Sequence, residues 1–553
     1  MSTPTIIVIG ASIMQVPAIQ AAHQMGLKVA VVSPNVHEPG VALAEYHICV
    51  DLLQTRKVVT IVNEFHKKVF LSAVFTTGTD FSYVVACISD SLNLPGLNKK
   101  IVSFATNKDL MRERLASSGV AVPAWIVVKQ LISELPNKLS FPVVVKPVDN
   151  MGSRGVQRVE VKSQLKNAVA IAFQNSKCGR VIIENFITGP EFSIDALVRN
   201  GVIDIYGVAD RHIRFPPYFI EMGHTIPTKF IGNELQNVLQ VFKDAVKAIG
   251  ITNGAAKGDL KLSPNGPVVG EIAARLSGGY MSGWTYPLSS RVDLTRKALQ
   301  IAMGKDPGFT ASSVNRVVAE RAFISIPGIV ASVEGIARVS KIKEVDQVFL
   351  KVEPGSIVQF PTSNVEKSGN IIASSIERKK AIQAAEMAVQ RILIRLRPNT
   401  ETTERFLWSS SNQLSRENTF SPNEEIMNKL KSLPKMIGVF SERTGAPITR
   451  PVNIIKVLEI SRVSGCDWHG MAFNNALKDT LQTGNAKLVS SECANVIALT
   501  EPVLGSVFWE AIIKAGVQGA IYVIDCFRQG ILSGYDKSNY IVSLKEQTES
   551  KLL

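Results

Sequence analysis

The chain reads as an α/β protein of several domains, and three observations predict this. Near the N-terminus, short apolar β-type runs at 5–9, 28–33 and 71–77 alternate with helical periodicity at 15–25 and 80–92. That alternation is the signature of a parallel sheet with covering helices. Next, the stretch FPVVVKPVDNMGSRG (Phe141 to Gly155) drives an apolar strand into Lys146 and then into a glycine-containing loop. Finally, DLKLSPNGPVVGEIAARLSGG (Asp259 to Gly279) sets Asp259 and Glu271 on two short apolar runs joined by Ser263-Pro264-Asn265-Gly266, which predicts a hairpin. Carboxylates on adjacent strands can share a hard divalent cation such as Mg²⁺, which takes oxygen ligands. A strand-end lysine, a glycine loop and an acid pair followed by Arg275 suit the handling of a nucleoside triphosphate.

Composition sets the outer bounds. A length of 553 residues predicts three or four domains, and 46% hydrophobic with 20% charged residues is ordinary for a globular protein. No window holds the roughly 18 consecutive apolar residues of a membrane span. The opening MSTPTIIVIGAS lacks a basic leader and reads as a first strand. The six cysteines are scattered without a C-x-x-C pair, which predicts reduced thiols and a cytoplasmic location. The formal charge of +14 raises the question of nucleic acid. Lys and Arg, however, are spread along the whole chain, and no nucleic-acid-binding signature accompanies them. A basic surface that attracts anionic nucleotides and carboxylates is the expectation.

Taken in order, the turn Gly10-Ala11-Ser12 after the first strand is either a close approach to a ligand or a tight strand-to-helix turn, since it is not a full G-x-G-x-x-G. Thr106-Asn107-Lys108-Asp109 resembles a capping box that opens a helix ending at Gly119. Strands are predicted at 122–128, 142–147, 155–161 and 180–184, with a helix at 163–175. A strand from Phe192 to Val198 leads into a long charged and aromatic loop, Asp210 to Lys229, and a helix at 233–249 precedes the acidic hairpin. From 316 to 396 the pattern gives short strands, a turn near Pro354-Gly355 and a final helix at 377–396. Residues 397–434 are polar with Pro422 and Pro434 and read as a linker. Beyond them, the strand-like runs MIGVF, AKLVS, NVIAL and AIYVI alternate with helical stretches, predicting a separate small α/β domain.

In this order of motifs, residues 1–396 resemble the ATP-grasp superfamily. The loop ADRHIRFPPYFIEMGHTIPT (Ala209 to Thr228), with IPGIVASVEGI and PGSIVQFPTSNVEKSGN further on, is similar to the L-amino-acid ligase branch. The resemblance implies a Rossmann-like pre-ATP-grasp domain at 1–105, an ATP-grasp domain at 106–305 and its C-terminal subdomain at 306–396. The linker at 397–434 and the unrecognised domain at 435–553 complete the chain. It also implies that Lys108 and Lys146 contact ATP phosphates, with Ser153 of the glycine loop in the ATP-binding set. Glu184 and the backbone of Asn185, Phe186 and Ile187 would meet the adenine, and Glu191 the ribose hydroxyls. Asp259 and Glu271 match the metal carboxylates, for Mg²⁺ or Mn²⁺. Ala273 stands where relatives often carry an Asn ligand. Arg275 would stabilise the transferring phosphoryl group or hold a substrate carboxylate, making it and Lys146 the catalytic pair. Glu221 would hold a substrate ammonium and His224 a phosphate or carboxylate, with Arg211 and Arg214 as anion contacts.

The function implied is an ATP- and Mg²⁺-dependent carboxylate–amine ligase. It would work through an acyl-phosphate, with an amino acid as one substrate. Its partners would be a small carboxylate and a small amine, with no membrane and no nucleic acid, and a homo-oligomer is compatible with the sequence. Two other readings share the ATP site: a carboxylase of the biotin-carboxylase or carboxyaminoimidazole type, and a non-catalytic nucleotide-binding module. In the C-terminal region, Ser464-Gly465-Cys466-Asp467-Trp468-His469 gathers groups fit for nucleophile or ligand chemistry or simply for packing.

Overall fold

The computed structural model describes residues 3–308, 316–408, 419–421, 424, 428, 439–440, 447–448, 465–483 and 506–529. The chain divides into two compact units. Unit 1 comprises Met1–Arg321, Thr362–Val365 and Ile372–Ala385, and unit 2 comprises Ala322–Pro361, Glu366–Ile371 and Glu386–Leu553.

Unit 1 opens with β1 (Thr5–Ile9), α1 (Val16–Gln24), β2 (Lys28–Val32), β3 (Tyr46–Ile48), α2 (Thr55–His66), β4 (Leu71–Phe75) and α3 (Ser82–Ser91). Its sheet is parallel in the order β3-β2-β1-β4. The all-apolar sequence of β1 is explained by burial on both faces. Ile7 and Ile9 pack into a core with Val58, Val62 and Ile88 of the covering helices. Ile6 and Val8 face the other way, into a core with Leu197, Tyr206, Leu276 and Tyr286. Sequence periodicity identified β1, β2, β4, α1 and α3, whereas the short β3 and the helix α2 went unread.

Two helices follow, α4 (Lys99–Thr106) and α5 (Lys108–Ser117). Here the capping box does not form. Thr106 belongs to α4 and donates its hydroxyl to Val102 O at 2.9 Å, while the chain bends at Asn107, which makes no side-chain cap. A bend of one residue leaves Thr106 no room to act as an N-cap. The strands β5 (Trp125–Val128), β6 (Val143–Pro147), β7 (Gln157–Val159) and β8 (Val181–Asn185) form an antiparallel sheet in the order β5-β8-β6-β7, and α6 (Lys162–Gln174) packs on it.

The remaining elements of the unit's centre are β9 (Glu191–Arg199), β10 (Val202–Arg214), β11 (Ile220–Ile226), α7 (Gly232–Ile249), β12 (Gly254–Ser263) and β13 (Gly266–Ala273). They form an antiparallel run, β13-β12-β9-β10-β11, backed by α7 through Val238, Phe242 and Val246. Gly258 is required there, because a Cβ would lie 2.5 Å from the Phe242 ring. The stretch 210–229, expected as a loop, is instead mostly strand: β10 and β11 pair from Asp210↔Thr225 to Arg214↔Ile220. Ile220–Ile226 is buried at every position but Glu221, so its polar residues Glu221, His224 and Thr225 carry no alternation that would mark a strand in the sequence. Two glycines mark where the halves of the unit meet. A Cβ on Gly278 would come within 2.9 Å of Gly78 O, and one on Gly78 within 3.0 Å of Gly278 Cα.

Unit 2 contains a three-stranded antiparallel sheet in the order Ile357–Val358, Gly328–Glu334, Leu393–Leu396. The helix expected to fill 377–396 stops at Gln390, and Leu393–Leu396 is this sheet's edge strand. Within the stretch expected as a linker, Glu401–Trp408 is a helix with Thr403, Phe406 and Leu407 buried. Thr403 ties it down by donating to Pro327 O at 2.7 Å. The polar composition of 397–434 reflects one exposed helix face followed by residues outside the description. AIYVI is not a strand either: it lies within the helix Ser506–Arg528, and its five residues are all buried. A short apolar run does not distinguish a strand from a buried helix. This helix is apolar and long enough to cross a membrane by length and composition, yet 83% of its apolar window is buried in the fold. Val439–Phe440 of MIGVF pairs with Pro447–Ile448. AKLVS and NVIAL lie outside the described residues.

Candidate active site

The acid pair is set by register. In the β12–β13 hairpin Asp259 stands directly opposite Glu271, and the alternation K-x-D-x-K puts Lys257 and Lys261 on the same face as Asp259. Lys257 donates to Asp259. Asp259 Oδ1 is buried without a hydrogen-bond partner. Burial alone would raise the Glu271 carboxyl, but Lys108, Lys257, Arg275 and Lys146 outweigh it and hold the group at about 2. Both acids line a cleft of about 170 Å³ that β6, β8, β9, β12 and β13 enclose. Lys108, Lys146, Ser153, Glu184, Asn185, Phe186, Ile187 and Glu191 line it too. The structure therefore gathers every residue expected for ATP and metal in one cavity.

Glu184 is the cleft's buried anchor. At the end of β8 it is 1% exposed and receives Arg112 Nε at 2.6 Å and Lys146 Nζ at 2.5 Å. Desolvation pushes its carboxyl up, but the two cations prevail and leave it at about 2. Arg112, fully buried, also donates from Nη2 to Gly270 O at 2.7 Å, joining α5 to the hairpin. Sequence reasoning missed Arg112, which looks like one charged residue among several on a helix. Glu184 is thus bonded to cations on its carboxylate, and Lys146 reaches the cleft from the same ion pair. Lys108 Nζ donates to Asn150 O at 2.6 Å, across from the glycine loop. Phe186 lies between two cations, with Arg158 at 4.1 Å and Lys261 at 4.7 Å from its ring centre.

Arg211 is the second hub, again larger than the sequence reading allowed. Its guanidinium meets Glu191, Glu221 (2.6 Å) and Asp259 (3.0 Å) together. Burial opposes its charge, but these three carboxylates overcome it and raise its pKa well above the ordinary value. Lys257 and Arg211 therefore both compete for Asp259 Oδ2, while Oδ1 stays free of hydrogen bonds. Among the described residues no cluster of three or more His, Cys, Asp or Glu side chains is arranged for a metal. Two all-oxygen carboxylates, one with an orphaned atom, fit Mg²⁺ or Mn²⁺, which are commonly held by one or two carboxylates together with substrate phosphates.

Glu221, His224 and Arg275 do not line this cleft. Glu221 adjoins it through Arg211. His224 is 1% exposed, with Glu320 bonded to Nδ1 at 2.9 Å and Glu221 3.3 Å from Nε2, outside hydrogen-bond geometry. Burial disfavours the imidazolium, yet Glu221 and Glu320 outweigh it and raise His224 to about 9, so the ring is a cation at neutral pH. A Cβ on Gly279 would lie 2.9 Å from Glu221 Oε1 and 3.4 Å from His224 Cε1, so only glycine fits this close against both side chains. Arg275, 8% exposed, lies with Nε 3.9 Å from Asp80 and lines a separate cavity of about 510 Å³ with β4 and α3. The segment after it is pinned by Asp195, which accepts from Ser277 N at 3.2 Å and from Ser277 Oγ at 2.5 Å. Burial pushes the Asp195 carboxyl up to about 6. Arg214 stands at the solvent end of β10. Cys466 and His469 belong to unit 2, and His469 Nε2 accepts from Ile324 N at 3.1 Å.

The glycine loop is tied down. Ser153 donates to Phe219 O at 2.8 Å, and Asn364 N donates to Gly152 O at 2.9 Å. With the loop so held, the cleft falls below the several hundred Å³ typical of a small-molecule site.

Comparison with known proteins bears on this arrangement. Residues 139–283 match the ATP-grasp domain family, and residues 322–397 match the family described as L-amino acid ligase C-terminal domain 2. An uncharacterised protein of Sinorhizobium fredii is 23% identical over 58% of this chain and 68% of its own length. Dapdiamide A synthase of Enterobacter agglomerans is 28% identical over 35% of this chain, which spans about half (48%) of that enzyme. Among solved structures, an L-amino acid ligase from Bacillus licheniformis superposes with a TM-score of 0.66 at 22% identity, covering 72% of this chain and all of its own (100%). The chain thus carries an ATP-grasp domain over residues 139–283, followed over residues 322–397 by a domain of the L-amino acid ligase C-terminal kind.

Proposed function

We propose that this protein joins a small carboxylate to an amine, one of them an amino acid, through an acyl-phosphate made from ATP. The observation that carries the reading is the single cleft shared by Lys108, Lys146, Glu184, Glu191, Asp259 and Glu271. The adjoining match to the L-amino acid ligase C-terminal domain favours a ligase over a carboxylase.

In this reading Lys108 and Lys146 bind the triphosphate, as compact multi-donor cations. Phe186 and the strand end at Asn185–Ile187 take the base, and Glu191 accepts from the ribose hydroxyls. Asp259 and Glu271 hold Mg²⁺, which neutralises phosphate charge when bound. The substrate carboxylate attacks the γ-phosphorus and ADP leaves. An amine then attacks the acyl carbon, phosphate departs, and the amine loses its proton. Glu221 receives the ammonium of the amino-acid substrate, and the protonated His224 holds phosphate or carboxylate oxygens beside it. Arg275, which lines the other cavity but whose charge acts on Glu271, compensates charge on the transferring phosphoryl group from outside the cleft. The loop at Gly152–Gly155 opens to admit ATP and closes to keep water from the acyl-phosphate.

The test is a screen of paired amino acids and carboxylic acids for ADP release with Mg·ATP. Release that depends on an acid and an amine together, with an amide product detected by mass spectrometry, is expected. ADP formed with bicarbonate alone would move the chain to the carboxylases, and no stimulated ADP with any pair would defeat the proposal.

A further inference from the structure

Unit 2 contains a cavity of about 540 Å³ that is separate from the ATP cleft. Three local features build it. Gly335 has φ +92, and a Cβ there would come to 1.9 Å from Arg391 O. The short helix Ile336–Val339 therefore starts against the turn at Gln390–Arg391, which brings Arg338 and Arg391 to one rim. The helix Phe473–Thr483 contributes Asp479 to the same lining. The floor is formed where the helix Ser506–Arg528 breaks at Ala515 and Gly516, whose backbone leaves the helical region.

The charges around this cavity are sorted. Glu334 is already matched by Arg395 Nε at 2.8 Å, and Asp467 Oδ1 accepts the N–H groups of His469 and Met471 at 2.8 Å each. His469 receives the Ile324 N–H on Nε2. Among the described residues, Arg338, Arg391 and Asp479 have no oppositely charged side chain within 4.0 Å. Burial raises the Asp479 carboxyl, Arg338 and Arg391 pull it down, and Asp467 pushes it up, so Asp479 feels both arginines and Asp467. Two guanidiniums and two carboxylates thus line one cavity. A lone anion would meet both acids and a lone cation both arginines, whereas a ligand bearing both charges satisfies the two sides.

We propose that this cavity binds a small zwitterion, an α-amino acid or a dipeptide, with its carboxylate on Arg338 and Arg391 and its ammonium toward Asp479. The inference stands on unit 2 alone and does not require the ligase reading. It is tested by calorimetric titration of the full chain, without ATP or Mg²⁺, with the twenty L-amino acids and glycylglycine. Acetate and methylammonium serve as single-charge controls. At least one zwitterion is expected to bind while neither control does. R338Q/R391Q and D479N should each weaken it about tenfold or more, the worth of a charge-assisted contact. E221Q, in unit 1, should leave it unchanged. Both arginines are exposed, so the variants keep the fold, checked by thermal unfolding. The proposal is overturned by absence of binding up to about 10 mM, a concentration that detects Kd values in the millimolar range. It is equally overturned by binding that E221Q abolishes and R338Q/R391Q preserves, or by acetate binding as well as the amino acids.

Discussion

Replacing Arg112 with Met tests whether the buried triad of Arg112, Glu184 and Lys146 organises the cleft. Glu184 is held at about 2, against 4.5 for an ordinary Glu. At about 1.4 kcal/mol per pH unit, that gap is worth about 3 kcal/mol of folding stability. Because the folded value is depressed, this contribution is complete above about 4.5 and drains away as pH falls toward about 2. Met replaces only the aliphatic stem of Arg112, so it leaves Glu184 buried with Lys146 alone and cuts the bond to Gly270 O. Removing one member of a buried ion pair costs about 3–5 kcal/mol. Urea unfolding of R112M followed by tryptophan fluorescence should show that loss at pH 7, with a shallower decline in stability below pH 5 than in the wild type. R112M/E184Q should recover part of it, since no buried carboxylate remains and the Lys146 side chain is partly open to solvent. A loss under about 1 kcal/mol, or an unchanged acid slope, would refute the claim that Arg112 keeps Glu184 ionised.

Other outcomes follow from the same geometry. E271A should remove Mg·ATP-dependent ADP release by at least about a hundredfold while circular dichroism stays native, because the acid sits on a formed hairpin rather than in the core. E221Q should raise KM for the amino substrate far more than KM for ATP, and it should lower the pH at which His224 loses its proton from about 9, as read by NMR titration. The stability His224 gains by charging is present below its ordinary 6.5 and is lost as pH rises through about 9. S153A frees the glycine loop from Phe219 O, so limited proteolysis should cut near 150–155 faster than in the wild type, with Mg·ATP restoring protection. Truncation after residue 434 should give little soluble protein, because it strips the buried helix Ser506–Arg528 from unit 2.

Much of the site could be read from local sequence because its key residues sit on regular strands. Lys146 ends an apolar strand, and Asp259 and Glu271 face each other across a turn whose residues announce it. What escaped was long-range. Arg112 gains its partners 72 and 158 residues away, and nothing in the helix around it signals that its side chain is buried. Arg211 was visible as a cation but not as the link among Glu191, Glu221 and Asp259, since that depends on β10 lying beside β9 and β11. The hairpin of β10 and β11 reads as a loop in sequence because β11 buries the polar residues His224 and Thr225 instead of alternating apolar with exposed ones. In unit 2 the apolar run at 520–524 carried no period to separate strand from helix, and only its burial within a 23-residue helix decides the matter.

The contact between Gly78 and Gly278 has a consequence for how this scaffold tolerates change. With no side chain on either residue, the turn after β4 and the segment carrying Arg275 touch backbone to backbone, a spacer of zero thickness between two rigid slabs. An alanine at position 278 would act as a shim, prising Asp80 and Arg275 apart by a fraction of an ångström without touching either. The spacing of Asp80 and Arg275 is therefore adjustable from a position that contacts neither side chain.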